Sequence, residues 1–470
     1  MATLRSNILV STAALVLVGS MRPVFNAVVN RVFGPEVNGH AANLVALMFL
    51  ASLPATAGLP TVVVRYVSRA FGGSDSGAVS AYARLSAIVG TLLTIVGIAG
   101  ALATLALRRS TSFDLVVVGI GIAGYAYWRI FRSLLVSVGQ PLVSLKAELA
   151  SVLALWGALA ISVVIDSADV AVAGFVCVYL VFAALTIRTV WPHLRGQALD
   201  RSSRSSFVRH TLLWFVASGA SLAVKEVSVL LLDRRADKAV VGEFSVALSL
   251  LMMLALASRV LELPLLHELS ALAGKDDRSA QRALTERAID WMSVIMVPMA
   301  FGVSLVAVPL LDLVAHVRSP EIALAFVVVA FAFSTEMLMT PASNLMVSEA
   351  PPEVLTVIGA ASFAVALAYW ISPVGDGFWG VVVGLALSHV LRSLVVGWYV
   401  RTRHHVALFR DPVRKVIVVL TGSALLFAVT SGSLSPWVSS LVFGVVSLVA
   451  FRKSLSDMVA AAVPRRAPLG

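Results

Sequence analysis

The chain has 470 residues, of which 59% are hydrophobic and only 13% are charged, and its mean hydropathy is +0.94. A soluble protein carries about 25% charged residues and cannot bury so many apolar segments of membrane-spanning length, so this composition excludes a soluble fold. The formal net charge of +11 is typical of a membrane protein with basic cytoplasmic loops, and we expect no nucleic-acid partner.

Apolar segments follow one another along the whole chain, separated by short polar stretches. They lie at 7–33, 40–70, 80–107, 113–138, 143–165, 169–188, 207–233, 240–267, 284–311, 321–346, 353–373, 378–400, 413–430 and 436–452. A lipid-exposed backbone must satisfy its own hydrogen bonds, so each segment must be helical. We predict an all-α polytopic membrane protein with about 14 transmembrane helices, while a count of twelve stays open.

Basic residues set the predicted orientation. With the N-terminus inside, twenty-four Lys and Arg residues fall at cytoplasmic ends of the segments and seven at outer ends. Short loops rich in Lys and Arg stay in the cytoplasm, so we expect both termini in the cytoplasm of a bacterial cytoplasmic membrane. Prolines inside the segments are expected to kink the helices: Pro54, Pro60, Pro264, Pro298 and Pro341.

The polar, basic connection at 189–206 is the longest between predicted helices and marks a division of the chain. We predict an N-terminal bundle of helices 1–6 at 1–206, a C-terminal bundle of helices 7–12 at 207–400, and helices 13 and 14 with a tail at 401–470. A weak internal repeat supports this division, because spans one and two resemble spans seven and eight. In the repeat Gly39 matches Gly242, and Pro60 matches Pro264 within a residue. Many transporters are built from such repeats, with the substrate site between them.

Enzymatic motifs are missing from the sequence. It has no Gly-rich phosphate loop, no HExxH and no GxSxG, and its single cysteine, Cys177, lies in an apolar run. Scattered histidines and one cysteine give no metal-ligand spacing. We therefore predict no catalytic residues, no metal and no cofactor, and we expect a transporter rather than an enzyme.

Ionisable groups inside the predicted spans are the informative residues. Each cation costs on the order of 3 kcal/mol at mid-membrane, so it should face protein or a wet cavity. On span one, Arg22, Asn26 and Asn30 recur every four residues and form a polar stripe. On span seven, Lys225 lies in a similar stripe, and on span four Arg129 lies on one face with the following residues: Tyr125, Trp128 and Arg132.

These stripes predict a cavity with a positive interior, in which the first and seventh helices face each other. Arg grips phosphate oxygens bidentately, so such a cavity suits a phosphate or diphosphate. Arg22 and Lys225 are the strongest candidates, because they lie deepest. Arg65 and Arg132 fit equally well as anchors at the cytoplasmic surface. Neighbouring positions on a helix point apart, so Glu226 need not cancel Lys225.

Acidic residues inside the spans are fewer than the cations. Glu336 on span ten fits either a proton or cation coupling site or a satisfied polar cluster between helices, and both alternatives stay open. Glu226 is the second candidate for a coupling group. Arg392 on span twelve is expected to snorkel to the inner surface.

The run at 30–72 resembles the start of polysaccharide-biosynthesis membrane proteins, in which a first helix ends in an Arg-x-hydrophobic-Gly-Pro turn. The matching positions are Arg31, Gly34, Pro35, Gly39, Gly58, Leu59 and Arg65. Asn38 replaces the usual aromatic residue before Gly39. The segment at 127–140 also resembles the end of the fourth helix in this family.

The resemblance implies membership of the multidrug/oligosaccharidyl-lipid/polysaccharide exporter superfamily, which includes O-antigen and lipid II flippases. It implies two six-helix bundles in a V shape, with two C-terminal helices, that transfer polyprenyl-diphosphate-linked sugars to the outer leaflet. Cavity cations of such flippases engage the diphosphate. Carried to this chain, that role predicts substrate contacts for five residues: Arg22, Asn26, Arg65, Arg129 and Lys225.

Two other classes remain as competitors: an exporter, and a protein that is not a transporter, either a membrane scaffold or a glycan polymerase. A cation-coupled drug or metabolite exporter of the same superfamily would have acidic residues dominating its cavity. A glycan polymerase would show a long extracytoplasmic loop, whereas every predicted outer loop here is short. We expect a monomer that contacts membrane lipids and a lipid-linked glycan, with glycosyltransferases or a polymerase of the same pathway as further partners.

Overall fold

A computed structural model describes residues 2–196, 198–274 and 276–408, and the long regular elements of these residues are all helices. The helices are α1 (Ala2–Phe33), α2 (Pro35–Thr56), α3 (Leu59–Gly72), α4 (Ser76–Leu107), α5 (Ser112–Ser137), α6 (Pro141–Val164), α7 (Ala168–Val190), α8 (Arg201–Arg235), α9 (Lys238–Gly274), α10 (Arg278–Leu305), α11 (Ala307–Ala315), α12 (Pro320–Leu338), α13 (Thr340–Glu349), α14 (Pro352–Ile371) and α15 (Gly377–Arg403).

The first twelve predicted segments each coincide with one helix or with two consecutive helices. Ten helical stretches in the described part of the chain are long and apolar enough to cross a membrane. Helices α1 and α9, with 32 and 37 residues, are the elements at the first and eighth segments. The protein is therefore a multi-pass membrane protein of the all-α class, as predicted. The thirteenth and fourteenth segments, at 413–430 and 436–452, lie outside the described residues.

Three of the predicted spans are each divided into two helices. The ninth span breaks at Val306, between α10 and α11. The second span breaks at Gly58, and α3 begins immediately after it with Pro60 in its first turn. The tenth span breaks at Met339, and Pro341 lies in the first turn of α13. The expectation that Pro60 and Pro341 kink continuous helices was wrong, because proline lacks an amide hydrogen and is best tolerated in the first turn of a new helix.

Helix α8 begins at a capped N-terminus. The Asp200 carboxylate accepts hydrogen bonds from the Ser202 hydroxyl and from the Ser203 amide, the latter at 3.0 Å, and these bonds lower the pKa of Asp200 below its usual range. A carboxyl group whose pKa is depressed by folding stabilises the folded state above its unfolded pKa of about 4. That contribution is lost as the pH falls through the folded pKa.

We expect Asp200→Ala to accelerate hydrogen exchange of the Ser203 amide at neutral pH, because the amide loses its acceptor. Hydrogen-exchange mass spectrometry of the peptide that contains residues 201–206 measures this effect. Asp200→Asn caps about as well and should exchange as wild type does. Equal exchange in all three proteins would show that the cap does not hold this turn.

The chain forms two compact units. The first comprises Met1–Leu256 with Pro352–Ser388, and the second comprises Ala257–Pro351 with the chain from His389 onward. In the first unit α5 and α7 pack together, α6 packs on α1 and α7, and α8 packs on α2 and α14. In the second unit α10 packs on α12 and α13. The predicted boundary at 206 falls inside the first unit, and the division into bundles at that position stays a prediction.

Small residues allow the closest helix packing in the first unit. Gly39 on α2 and Gly242 on α9 approach each other so closely that a Cβ on Gly39 would lie 2.0 Å from the Lys238 carbonyl oxygen. A Cβ on Gly242 would lie 2.0 Å from the Pro35 carbonyl oxygen. The contact is reciprocal, because Pro35 and Lys238 are related by the same offset that relates the two glycines. The two positions that match in the internal repeat therefore meet in space.

Candidate functional site

Arg22 on α1 and Glu226 on α8 form an ion pair inside the first unit. The two guanidinium nitrogens donate to the two carboxylate oxygens at 2.7 and 3.0 Å. The side chains are only 12% and 9% exposed. Helices of the first and seventh predicted spans therefore meet at this point, through Glu226 and not through the predicted Lys225 stripe. The cavity predicted between the two stripes stays a prediction. The pairing itself was not predicted: a carboxylate takes both donor ends of Arg22, and the predicted contact of Arg22 with substrate stays a prediction.

Aromatic rings surround the Arg22 guanidinium. It lies over the Phe49 ring, 5.2 Å from the centroid. The Phe49 ring meets the Tyr125 ring edge to face at 4.7 Å, and Tyr125 stacks on Trp128 at 5.3 Å. Tyr179 on α7 contacts Tyr125 at 5.1 Å and Trp128 at 5.6 Å. We call these four rings the aromatic strip: Phe49, Tyr125, Trp128 and Tyr179.

The far end of the aromatic strip carries two further arginines. The Arg129 guanidinium carbon lies 5.8 Å and that of Arg132 lies 6.0 Å from the centroid of the Trp128 ring. Arg132 donates to the fully buried Glu148 at 2.7 Å, so it has a structural partner. Arg129 donates to the Thr56 backbone oxygen at 3.4 Å, beside the helix break at Gly58. The predicted common face of span four is confirmed, and its two arginines have different partners.

Lys225 is buried on α8, next to Glu226 in the sequence. Its backbone oxygen accepts a hydrogen bond from the Ser228 hydroxyl at 2.6 Å. Ser228 of the predicted polar stripe therefore bonds to the backbone of its own helix. A lysine buried inside a membrane-spanning helix is energetically costly unless a polar partner or water compensates its charge. Helix α8 thus carries a buried cation at position 225 beside the carboxylate residue that binds Arg22.

Asn26 lies one turn beyond Arg22 and is buried. Its side-chain amide donates to the Ser245 backbone oxygen on α9 at 3.2 Å. Asn38 on α2 donates in the same way to the Gly242 oxygen at 2.8 Å. Both asparagines therefore fasten α1 and α2 to α9, which gives Asn26 a structural function in this conformation. Its predicted contact with substrate stays a prediction.

Arg65 does not join this group. Its side chain is exposed on α3, about two turns after the break at Gly58. The adjacent Tyr66 hydroxyl contacts His210 of α8 at 2.7 Å. Glu336, the other predicted coupling residue, belongs to the second unit. Among the described residues, no cluster of three or more His, Cys, Asp or Glu side chains suits a metal ion.

Several residues of the site were not predicted. Phe49 lies on predicted span two and Tyr179 on predicted span six, outside the predicted polar stripes. Only tertiary packing places these two rings near Arg22. The Arg22–Glu226 pair joins positions 204 residues apart in the chain. The one sequence signal that bears on it is the equal depth of the two charges on the matched first helices of the repeat.

No protein-family model and no curated protein sequence matches the chain. The lipid II flippase MurJ, in an inward closed conformation, matches with a TM-score of 0.71 at 13% identity, over 97% of this chain and 100% of that one. An inward-facing multidrug resistance MATE family transporter of the MOP superfamily matches with a TM-score of 0.61 at 14% identity, over 83% of this chain and 98% of that one. The chain therefore shares the fold of these two transporters.

A third solved structure shows that this fold carries sites of different charge. It is a MOP superfamily transporter from Pyrococcus furiosus, described as having a binding pocket of reversed polarity. It matches with a TM-score of 0.61 at 14% identity, over 85% of this chain and 95% of that one. The all-α, polytopic fold class implied by the sequence resemblance is thus confirmed. Substrate choice has to be argued from the residues of this chain.

Proposed function

We propose that this protein is a flippase that moves a polyprenyl-diphosphate-linked oligosaccharide from the inner to the outer leaflet of the cytoplasmic membrane by alternating access. One observation carries the proposal: Arg22 lies inside the membrane-spanning part of the first unit, held by a single carboxylate and lined by the aromatic strip. The likeness in fold to a lipid II flippase over the whole length of both chains supports it.

A diphosphate fits the chemistry of this site. It offers more anionic oxygens than one carboxylate does, so it competes with Glu226 for the bidentate face of the Arg22 guanidinium. Arg129 supplies further positive charge beside Trp128 of the aromatic strip, and Lys225 is a further buried cation on the helix that carries Glu226. The apolar faces of sugar rings pack well on aromatic rings, which matches an oligosaccharide attached to the diphosphate. The polyprenyl chain stays in the lipid.

The paired substitution Arg22→Gln with Glu226→Gln tests the proposal. It removes the cation but leaves two amides that can hydrogen-bond to each other, so the buried site keeps its polar pairing. We expect the variant to fold and to flip a labelled N-acetylglucosamine linked to a short polyprenyl diphosphate at least about tenfold more slowly. That factor corresponds to one lost charge-assisted hydrogen bond to the diphosphate. Flipping is measured in proteoliposomes.

Arg31→Gln is the matched control, because Arg31 lies exposed at the end of the same helix. It should flip the probe at the wild-type rate. Unchanged flipping in the paired variant would contradict the proposed role of Arg22. Failure of the wild-type protein to flip this probe, while lipophilic cations are transported, would replace the proposal by the alternative below.

The alternative is a cation-coupled exporter of drugs or metabolites. The observation in its favour is the Glu226 carboxylate beside the aromatic strip, since aromatic faces and a carboxylate together attract organic cations. A fluorescent lipophilic cation such as ethidium separates the two functions. Transport of ethidium without flipping of the diphosphate probe would establish the exporter.

The orientation and partners follow from the same proposal. A flippase of this type takes its substrate from enzymes that act at the cytoplasmic surface, and both termini are proposed to lie there because of the basic loops. Glycosyltransferases that build the lipid-linked glycan, or a polymerase that consumes it, are the proposed partners of a monomeric transporter.

A further inference from the structure

A second buried charge cluster lies in the second unit, apart from the residues used above. Glu336, near the end of α12, accepts a hydrogen bond from Arg392 on α15 at 3.1 Å. Its other carboxylate oxygen contacts the Nδ1 atom of His389, one turn before Arg392. We call Glu336, His389 and Arg392 the carboxylate triad. The predicted snorkelling of Arg392 to the inner surface was wrong in this respect, because its guanidinium binds a carboxylate within the span.

The carboxylate triad lies where a spanning helix is discontinuous. Helix α12 ends at Leu338 and α13 begins at Thr340, so the backbone changes direction within one turn of Glu336. The Phe333 ring packs edge-on against the His389 ring at 4.4 Å, and Thr335 contacts Ser393 at 3.2 Å. Discontinuous helices in transporters place polar groups at mid-membrane, where ions bind.

A second triad of the same chemistry gives an internal comparison. Asp312, His316 and Arg318 form ion pairs at the junction between α11 and α12, with side chains 39%, 48% and 77% exposed. In the carboxylate triad the exposed fraction is 2% for His389 and 19% for Glu336. The same three groups therefore occur once in contact with solvent and once inside the protein. Adding a proton to the buried triad therefore changes the electrostatic energy of its surroundings more than adding one to the exposed triad.

Other charged groups lie on the elements that neighbour the carboxylate triad. Helix α10, which packs on α12 and α13, carries the Arg282–Glu286 pair, whose carboxylate also accepts from the Ala407 amide. It also carries Asp290, a half-buried residue whose Oδ1 atom is buried. Further groups lie towards the helix ends: Arg287 on α10, Glu349 with His404, Arg401 and Arg403, and the Asp312 triad on α11. Asp290 is therefore a further carboxyl group on a helix that packs against α12.

We propose that the carboxylate triad is the proton-binding site that couples transport to the proton gradient. This inference rests on the transport function proposed above. Arg392 stays protonated at all relevant pH values, whereas histidine exchanges its proton between about pH 5 and 8. With neutral His389 and ionised Glu336 the triad has no net charge. One proton bound on the imidazole makes the net charge +1, and the proton comes from the outer solution and leaves to the cytoplasm.

The coupling follows from the position of the triad at a helix break. A change of one charge in a poorly solvated site shifts the balance between two arrangements of α12, α13 and α15. If one proton enters for each lipid that is flipped outwards, a pH gradient of one unit shifts the leaflet ratio of the lipid about tenfold. No bond other than the N–H bond on His389 is made or broken, and nothing is oxidised or reduced.

The first experiment uses the full-length protein in proteoliposomes, with the membrane potential clamped at zero. We expect an outside-acidic gradient of one unit to change the leaflet ratio of the labelled diphosphate probe about tenfold in the wild type. His389→Gln and Glu336→Gln should still equilibrate the probe but with a ratio that no longer responds to the gradient. His316→Asn is the matched control and should respond as wild type, because its triad is exposed.

A second experiment needs no substrate and so separates this inference from the proposed function. In protein with isotope-labelled imidazoles, the NMR signal that is lost in His389→Gln should titrate between about pH 5 and 8. Glu336→Gln should move its midpoint, and His316→Asn should not.

Absence of any titration of this signal would overturn the inference even if flipping is found, as would a wild-type response to the gradient in His389→Gln. If the wild type flips nothing, the proposed function fails and the titration still decides whether His389 binds a proton. Where His389→Gln does not yield folded protein, His389→Asn replaces it.

Discussion

Alanine at position 39 is expected to destabilise the folded protein by about 1–3 kcal/mol. The added Cβ would lie 2.0 Å from the Lys238 carbonyl oxygen and 2.8 Å from its carbonyl carbon. Both are backbone atoms of α9, so no side chain can rotate away and the two helices must separate. Separation also lengthens the hydrogen bond from the Asn38 side chain to the Gly242 oxygen. Thermal unfolding of the purified protein in detergent measures the loss.

Two further substitutions make this prediction specific. Gly242→Ala should have a comparable effect, because its Cβ would meet the Pro35 oxygen at 2.0 Å. Gly119→Ala is the matched control, since a Cβ at this helical position has no neighbour within 4 Å. Alanine also favours a helix over glycine, so the control should be neutral or slightly stabilising. Similar melting temperatures for Gly39→Ala and Gly119→Ala would show that the crossing is not tightly packed.

The number and bounds of the spanning segments in the described chain were predictable because hydropathy dominates them. Lipid forces a closed hydrogen-bond pattern on each apolar stretch, so segment and helix coincide. The breaks at Gly58 and Met339 were not predictable in the same way. A proline within a long apolar run signals either a kink or a new helix, and the neighbouring helices decide between them.

The sequence predicted several residues of the site but not the contacts between them. Helical spacing placed Arg22 and Asn26 on one stripe, and the internal repeat matched Gly39 with Gly242. Spacing within one helix carries no information on which residue of another helix lies opposite. The pairing of Arg22 with Glu226 therefore came only from the structure. Glu226 as a coupling residue stays a prediction, now with an arginine as its partner.

Glu226→Gln is expected to destabilise the folded protein by about 3–5 kcal/mol. The substitution leaves the Arg22 guanidinium buried with one neutral acceptor in place of two anionic oxygens. A guanidinium cannot lose its proton, so it cannot escape this cost by becoming neutral. Arg22→Gln should cost less, because a carboxylate left without its cation can bind a proton instead. Thermal unfolding at pH 7 measures both variants.

The neutral pair and an exposed ion pair complete this comparison. Arg22→Gln combined with Glu226→Gln should recover part of the loss, and the interaction energy from the double-mutant cycle should be about 0.5–3 kcal/mol. Glu353→Gln is the matched control, because its pair with Arg209 is long, at 3.3 Å, and largely exposed. It should cost less than about 1 kcal/mol.

The same double-mutant cycle shows what a substrate must overcome to displace Glu226 from Arg22. If Glu226→Gln is as stable as wild type, Arg22 does not depend on its carboxylate, and a diphosphate would have nothing to displace. If the loss appears, the energy that holds Arg22 and Glu226 together is the energy a diphosphate must exceed to bind Arg22. A monovalent carboxylate ligand offers Arg22 no more than Glu226 already does. A diphosphate offers more negative charge and more acceptor oxygens, so the ion pair selects for ligands of higher charge.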